Sequence, residues 1–159
     1  MSESGDAKQK AYATDGAPMN TDDRRFDRIT ETIIGCAYKV ASKLGYGFLE
    51  QCYENALAYE LRNKGLRVQQ QVRLQVWYDD IVVGEYIADL IVEDVVLVEL
   101  KAISALEAIH SAICINYLAA TKLPLCLLIN FGRRVDVKRI AGPTLSSVRK
   151  ETEPPIDAR

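Results

Sequence analysis

Apolar residues recur at spacings of three and four through Ile29, Ile33, Cys36, Ala37, Val40 and Leu44, a period that predicts an amphipathic helix. The Thr21-Asp22-Asp23 cluster is a plausible source of its N-cap, and Gly45 ends it. A second helical stripe follows Gly47, carries Leu49, Tyr53, Ala56, Leu57 and Leu61, and closes before Gly65 in the position of a C-terminal glycine cap. The helical advance puts Glu50 at the edge of that stripe, facing protein, and Glu60 close to its centre, where a carboxylate requires a cationic partner.

The period then changes to two. Val68, Val72, Leu74, Val76 and Tyr78 alternate as a strand, Asp79-Asp80 turns the chain, and a second strand runs from Ile81 to Val92. Glu93-Asp94 breaks that run before a third strand, Val95 to Lys101. Leu106, Ile109, Ile113 and Tyr117 predict a third helix ending near Thr121. Leu125 to Asn130 is almost wholly apolar, as expected of a strand covered on both faces, and Val135 to Ile140 suits a short edge strand.

This order concentrates chemistry in one place. Side chains two apart on a strand share a face, so Glu99 and Lys101 project together, away from Val98 and Leu100. Asp89, on the preceding strand, meets Glu99 on that face only if the connection spans three residues or is bulged. A two-residue turn at Glu93-Asp94 would instead pair residue 89 with residue 98. Paired carboxylate oxygens open to solvent are what Mg²⁺ or Mn²⁺ needs when it must also accept a phosphate oxygen. Lys101 is then placed to orient or activate an attacking water, with Glu50 completing the metal shell directly or through water. Each residue taken alone also fits a solvated or ion-paired carboxylate, and a structural subunit in which Lys101 neutralises the acids is a further reading. The order of a helical Glu, a strand Asp and then Glu-x-Lys favours the joint site.

Composition narrows the class. The chain has 159 residues, 48% hydrophobic and 26% charged, enough for one domain with a core. Residues 1–22 read as a flexible leader, 24–142 as the domain and 143–159 as a flexible tail. No apolar run approaches a membrane span and no signal-peptide pattern opens the chain, so a cytoplasmic protein with no membrane partner is expected. Cys36, Cys52, Cys114 and Cys126 form no C-x-x-C pair and read as buried free thiols. A net charge of −2 argues against tight non-specific binding of nucleic acid. The densest basic group, Arg133, Arg134, Lys138 and Arg139, suits either a solvated surface or a phosphate-holding rim. His110 is read as a helix-surface or packing residue, and the hydroxyls of Tyr53 and Tyr117 are expected near the carboxylates.

Gly47-Phe48-Leu49-Glu50-Gln51-Cys52-Tyr53 resembles the G-x-x-E-x-x-Y signature of the bacterial GxxExxY protein family, itself placed within the PD-(D/E)XK nuclease superfamily. The resemblance continues through Glu54-Asn55-Ala56-Leu57, Gly84-Glu85-Tyr86-Ile87-Ala88-Asp89, Val98-Glu99-Leu100-Lys101-Ala102, Asn116-Tyr117-Leu118 and Leu128-Ile129-Asn130-Phe131-Gly132. It implies an α/β, restriction-endonuclease-like αβββαβ core, a mixed central sheet flanked by helices. It also carries Glu50, Asp89, Glu99 and Lys101 onto the superfamily's acidic and lysine positions. The function so implied is hydrolysis of nucleic-acid phosphodiesters with Mg²⁺ or Mn²⁺, DNA ahead of RNA. The alternative is an inactive nuclease-fold module that binds nucleic acid or protein. Ile113 stands where relatives generally carry Gln. Oligomeric state is left open.

Overall fold

The computed structural model describes residues 21–142. The expected leader and tail lie outside the described residues, apart from Thr21 and Asp22, which open the first helix. Elements follow in the order α1 (Thr21–Leu44), α2 (Glu50–Asn63), β1 (Val68–Tyr78), β2 (Ile81–Val92), β3 (Val96–Lys101), α3 (Ala108–Thr121), β4 (Leu125–Phe131) and β5 (Val135–Ala141). The strands form one mixed sheet in the order β1-β2-β3-β4-β5. The β3–β4 pair is parallel and the other pairs are antiparallel, so α3 is the crossover between parallel neighbours.

Helices cover both faces of the sheet. On one face α1 and α2 pack Ile33, Ala37, Val40, Leu57 and Leu61 against Leu90, Val98, Leu100, Leu127 and Ile129. On the other, Cys114 and Leu118 of α3 close over Leu74, Ala88, Leu97, Cys126 and Leu128. The fully buried residues of β3 and β4 alternate between these two layers, which is why both strands read as continuous apolar runs. No helix among the described residues is long and apolar enough to cross a membrane.

Three features depart from the periodic reading. Leu49 precedes α2 as its N-cap and is 80% exposed, so it belongs to no apolar stripe. The inward face of α3 is Cys114 and Leu118, with Ile109 exposed, because a helix with so few polar residues does not mark its own outer side. The alternation of β1 is interrupted at Gln71, whose φ is 52°: Val68 and Leu90 pack with the α1–α2 layer, whereas Val72, Leu74 and Ala88 pack with α3. The β1–β2 ribbon therefore passes from one layer to the other at Gln71 and Asp89. Cys52 is exposed, while the other three thiols are buried as expected.

Candidate functional site

The connection between β2 and β3 decides whether two carboxylates meet. Val92 pairs with Val96, leaving three residues between them, with Glu93 and Asp94 in the left-handed region at φ 53° and 57°. The amide of Val95 closes the turn by donating to the carbonyl of Val92. The register continues through Leu90 and Val98, which sets Asp89 across from Glu99 on the α3 face. There side chains take over from the backbone ladder. The amide of Asp89 donates to Glu99 Oε1 at 3.2 Å, and the amide of Leu100 donates to Asp89 Oδ2 at 2.8 Å.

Burial and mutual repulsion load this pair with charge it cannot spread into water. Burial, then the Asp89 charge, pushes the Glu99 carboxyl up to about 9. Burial also raises Asp89, against the opposing effect of the bond from the Leu100 amide. Glu50, the first residue of α2, is raised by burial and next by Asp89, which it adjoins. Its helix is set by Tyr53, whose hydroxyl donates to the carbonyl of Gly45 at 2.6 Å and accepts the amide of Phe48 at 3.3 Å. Tyr53 also stacks on Phe131 at 4.5 Å. Its hydroxyl thus holds the loop before Glu50. Tyr117 approaches the carboxylates: burial, followed by the charges of Glu99 and Asp89, pushes its hydroxyl up to about 12.

Glu54 joins this acidic cluster, a neighbour that the periodic reading missed. It is buried one turn after Glu50 and accepts Gln70 Nε2 at 2.9 Å and a short bond from Gln71 Nε2. Gln71 Nε2 also reaches Asp89 Oδ1 at 3.4 Å, so Gln71 links the helical acid to the strand acid. The signal was available in the spacing, since residues four apart share a helix face and Glu50 was already turned inward.

Lys101 shares the face of Glu99, and its charge lowers the carboxyls of Glu50, Asp89 and Glu99. Among the described residues it makes no ion pair with any of them, so its ammonium stays available. Beside it on β4, Asn130 is buried and clamps the following loop. Its Nδ2 donates to the carbonyl of Ile103 at 2.9 Å, and its Oδ1 accepts that residue's amide at 3.0 Å. Gly132 lies against the same loop, where a Cβ would stand 3.0 Å from the Ile103 carbonyl. His110 caps α3 by accepting the Glu107 amide on Nδ1 at 2.9 Å, a structural task. Glu60 finds the cations expected for it, Lys39 at 2.8 Å and Lys43 at 3.8 Å.

The basic residues do not form one surface. Arg133 and Arg134 lie in the β4–β5 turn, at the Lys101 end of the sheet, with Arg133 over the Tyr46 ring at 5.5 Å. Arg139 lies further along β5, opposite Leu127, and donates to Asp27 of α1 at 2.9 Å. Alternation sends Lys138 to the other face. A cavity of about 330 Å³ bounded by Thr32, Gly35, Cys36, Lys39 and Lys64 includes none of the acidic residues.

The acids Glu50, Asp89 and Glu99 offer hard oxygen donors, the chemistry of Mg²⁺ and Mn²⁺ sites. Among the described residues no group of three or more His, Cys, Asp or Glu side chains is arranged to hold an ion by itself. Mg²⁺ keeps several waters and is usually held by one or two carboxylates with substrate phosphate, so the facing pair Asp89 and Glu99 suits it, with Glu50 alongside.

Residues 27–140 match the sequence profile of the PD-(D/E)XK nuclease superfamily. A comparison with curated protein sequences finds no significant match. Among solved structures, the protein titled SSO0001 is similar over 81% of this chain, with a TM-score of 0.48 and 17% identity. This chain spans 66% of the length of that protein. An alkaline exonuclease from Laribacter hongkongensis is similar over 84% of this chain and 77% of its own, with a TM-score of 0.39 and 15% identity.

Proposed function

The chain belongs to the PD-(D/E)XK nuclease superfamily, and from that membership together with the geometry of its acidic cluster we propose a Mg²⁺- or Mn²⁺-dependent phosphodiesterase acting on DNA in preference to RNA. Within the superfamily we place it with the GxxExxY proteins, on the Gly47-x-x-Glu50-x-x-Tyr53 segment. The observation that carries the reading is the register of β2 and β3, which brings Asp89 and Glu99 face to face with Lys101 on the same side.

Asp89 and Glu99 would hold the ion, and Glu50 would join them directly or through water. When bound, the ion supplies charge stabilisation at the scissile phosphate and a more acidic attacking water. Lys101, with no ion pair among the described residues, donates to the phosphate or orients the water. Glu54 and Gln71 hold the acids in place, and Asn130 fixes the loop that leaves Lys101. Arg133 and Arg134 line the same end of the sheet and position the phosphate backbone.

The test is cleavage of linear, circular and single-stranded DNA in the presence of Mn²⁺, with Glu99→Ala as control. Cutting by the parent and none by the variant is the expected result; no cutting of any of the three overturns the enzymatic reading. A second reading, a module that binds without cutting, draws on Ile113, half-buried on α3 where the resemblance to the GxxExxY proteins implies a Gln. Binding of DNA and metal by a protein that cuts nothing would favour it.

A further inference from the structure

The β1–β2 hairpin exposes apolar side chains on both of its faces, of which Tyr86 rests against Tyr117 of α3. Trp77, Tyr78, Ile81, Val83, Tyr86 and Ile87 are all exposed, Tyr78 at 67% and Trp77 at 59%. Of these, Trp77 and Tyr78 lie on the outer strand, as consecutive residues on opposite faces of β1.

The backbone beside this surface is also unpartnered. β1 is an edge strand, and its two halves differ. In the first half, the Arg62 guanidinium donates to the Val68 carbonyl at 3.0 Å and to the Gln70 side chain at 3.1 Å, and the left-handed Gln71 interrupts the line. From Val72 to Tyr78 the backbone stays extended, with one shift of register against β2 between Val76 and Trp77, and Asp79 then turns the chain. The opposite edge, β5, carries Asp136, Lys138 and Arg139 within seven residues, the charge that discourages edge pairing. The free stretch of β1 carries Arg73 alone.

We propose that this stretch of β1 pairs antiparallel with the same stretch of a second copy, joining two five-stranded sheets across a two-fold axis at Gln75. Gln75 is the midpoint of Val72–Tyr78, so a pairing centred there uses every free backbone group of the segment. It also sets Arg73 opposite Trp77 of the second copy, cation against indole. Centring on Arg73 instead opposes like charges. Edge pairing gives Trp77 and Tyr78, on opposite faces of β1, a cross-strand neighbour each. A two-fold axis closes the assembly at two copies.

Two measurements on the full chain test it. In sedimentation velocity the protein is expected to be a dimer at micromolar concentration. Trp77→Lys, at an exposed position, is expected to raise the dissociation constant by at least about tenfold with an unchanged far-UV circular dichroism spectrum. Residues directly opposite in antiparallel strands stand about 4.5–5.5 Å apart at Cα, within disulfide reach. Gln75→Cys, in a Cys52→Ser background that removes the exposed native thiol, is therefore expected to cross-link two chains under oxidised glutathione. The two introduced thiols form one disulfide while the glutathione disulfide is reduced to two thiols. A monomeric parent, a dimer indifferent to Trp77→Lys, or a dimer in which position 75 fails to cross-link overturns the proposal.

Discussion

Asp89 and Glu99 stand across from each other on β2 and β3, and the amide of Asp89 donates to the carboxylate of Glu99 at 3.2 Å. The Leu100 amide answers by donating to Asp89 at 2.8 Å. Two strands are thus joined through the acids themselves where ordinary ladder bonds would run. The carboxylates are held to main chain, close to each other and largely out of water, so the pair is costly to ionise until a cation joins it.

Glu99 gives this cost a pH signature. Its folded-state value, pushed up to about 9, lies above the unfolded value near 4.3, so the folded chain holds the proton more tightly. The stability tied to that proton is fully present below the unfolded value and is lost as pH rises through the window up to about 9. Without divalent ions, the melting temperature should fall across that window, by at least about 1 kcal/mol or roughly 2–8 °C. Glu99→Gln should show a flatter profile. Thermal melts at several pH values decide this, and equal slopes for the two proteins would show that Glu99 does not titrate there.

Lys101→Met separates catalysis from architecture. The ammonium has no ion pair among the described residues, so its removal should change stability by no more than about 0.5 kcal/mol. Cleavage should be lost while DNA affinity is kept. A marked drop in melting temperature would mean that Lys101 is there to offset the acids.

Glu54→Leu should be costly for a different reason. It leaves the amides of Gln70 and Gln71 short of their main acceptor, and losing such bonds in a partly buried place costs about 1–3 kcal/mol. It also removes a charge that raises the Asp89 carboxyl, so Asp89 should titrate lower. Urea denaturation and carboxyl titration by NMR check the two effects separately.

Arg133 and Arg139 should behave unlike each other. Arg133→Ala, at the Lys101 end of the sheet, should weaken DNA binding and reduce the slope of log affinity against log salt by about 1. Arg139, tied to Asp27 on the α1 side, should leave both unchanged when replaced by Ala. Fluorescence anisotropy across a salt series measures this, and equal losses for the two variants would put the DNA elsewhere.

The parts of this fold legible in the sequence are those governed by short-range rules. The bounds of β1 and β2 follow from alternation and the Asp79-Asp80 turn. The three-residue connection before β3 follows from requiring Asp89 and Glu99 on one face. What escaped depends on tertiary context. Leu49 looks like core and is a cap, because the Tyr53 hydroxyl ties down the loop beside it. Gln71 gives no local sign of its left-handed backbone, and the change of layer at that residue brings Glu54 within reach of the site. The basic residues near 133–139 look like one cluster in the sequence, but a strand sends neighbours to opposite faces.

The single parallel pairing in the sheet bears on how the molecule is made. Every acid of the cluster, and Lys101 with them, lies between Glu50 and Lys101, on elements joined by short connections. β4 can join β3 only after the chain from Ala102 to Pro124 has looped through α3, the largest closure entropy in the central sheet. The residues of the site therefore meet across short loops, whereas the strand that buries them must close the longest one.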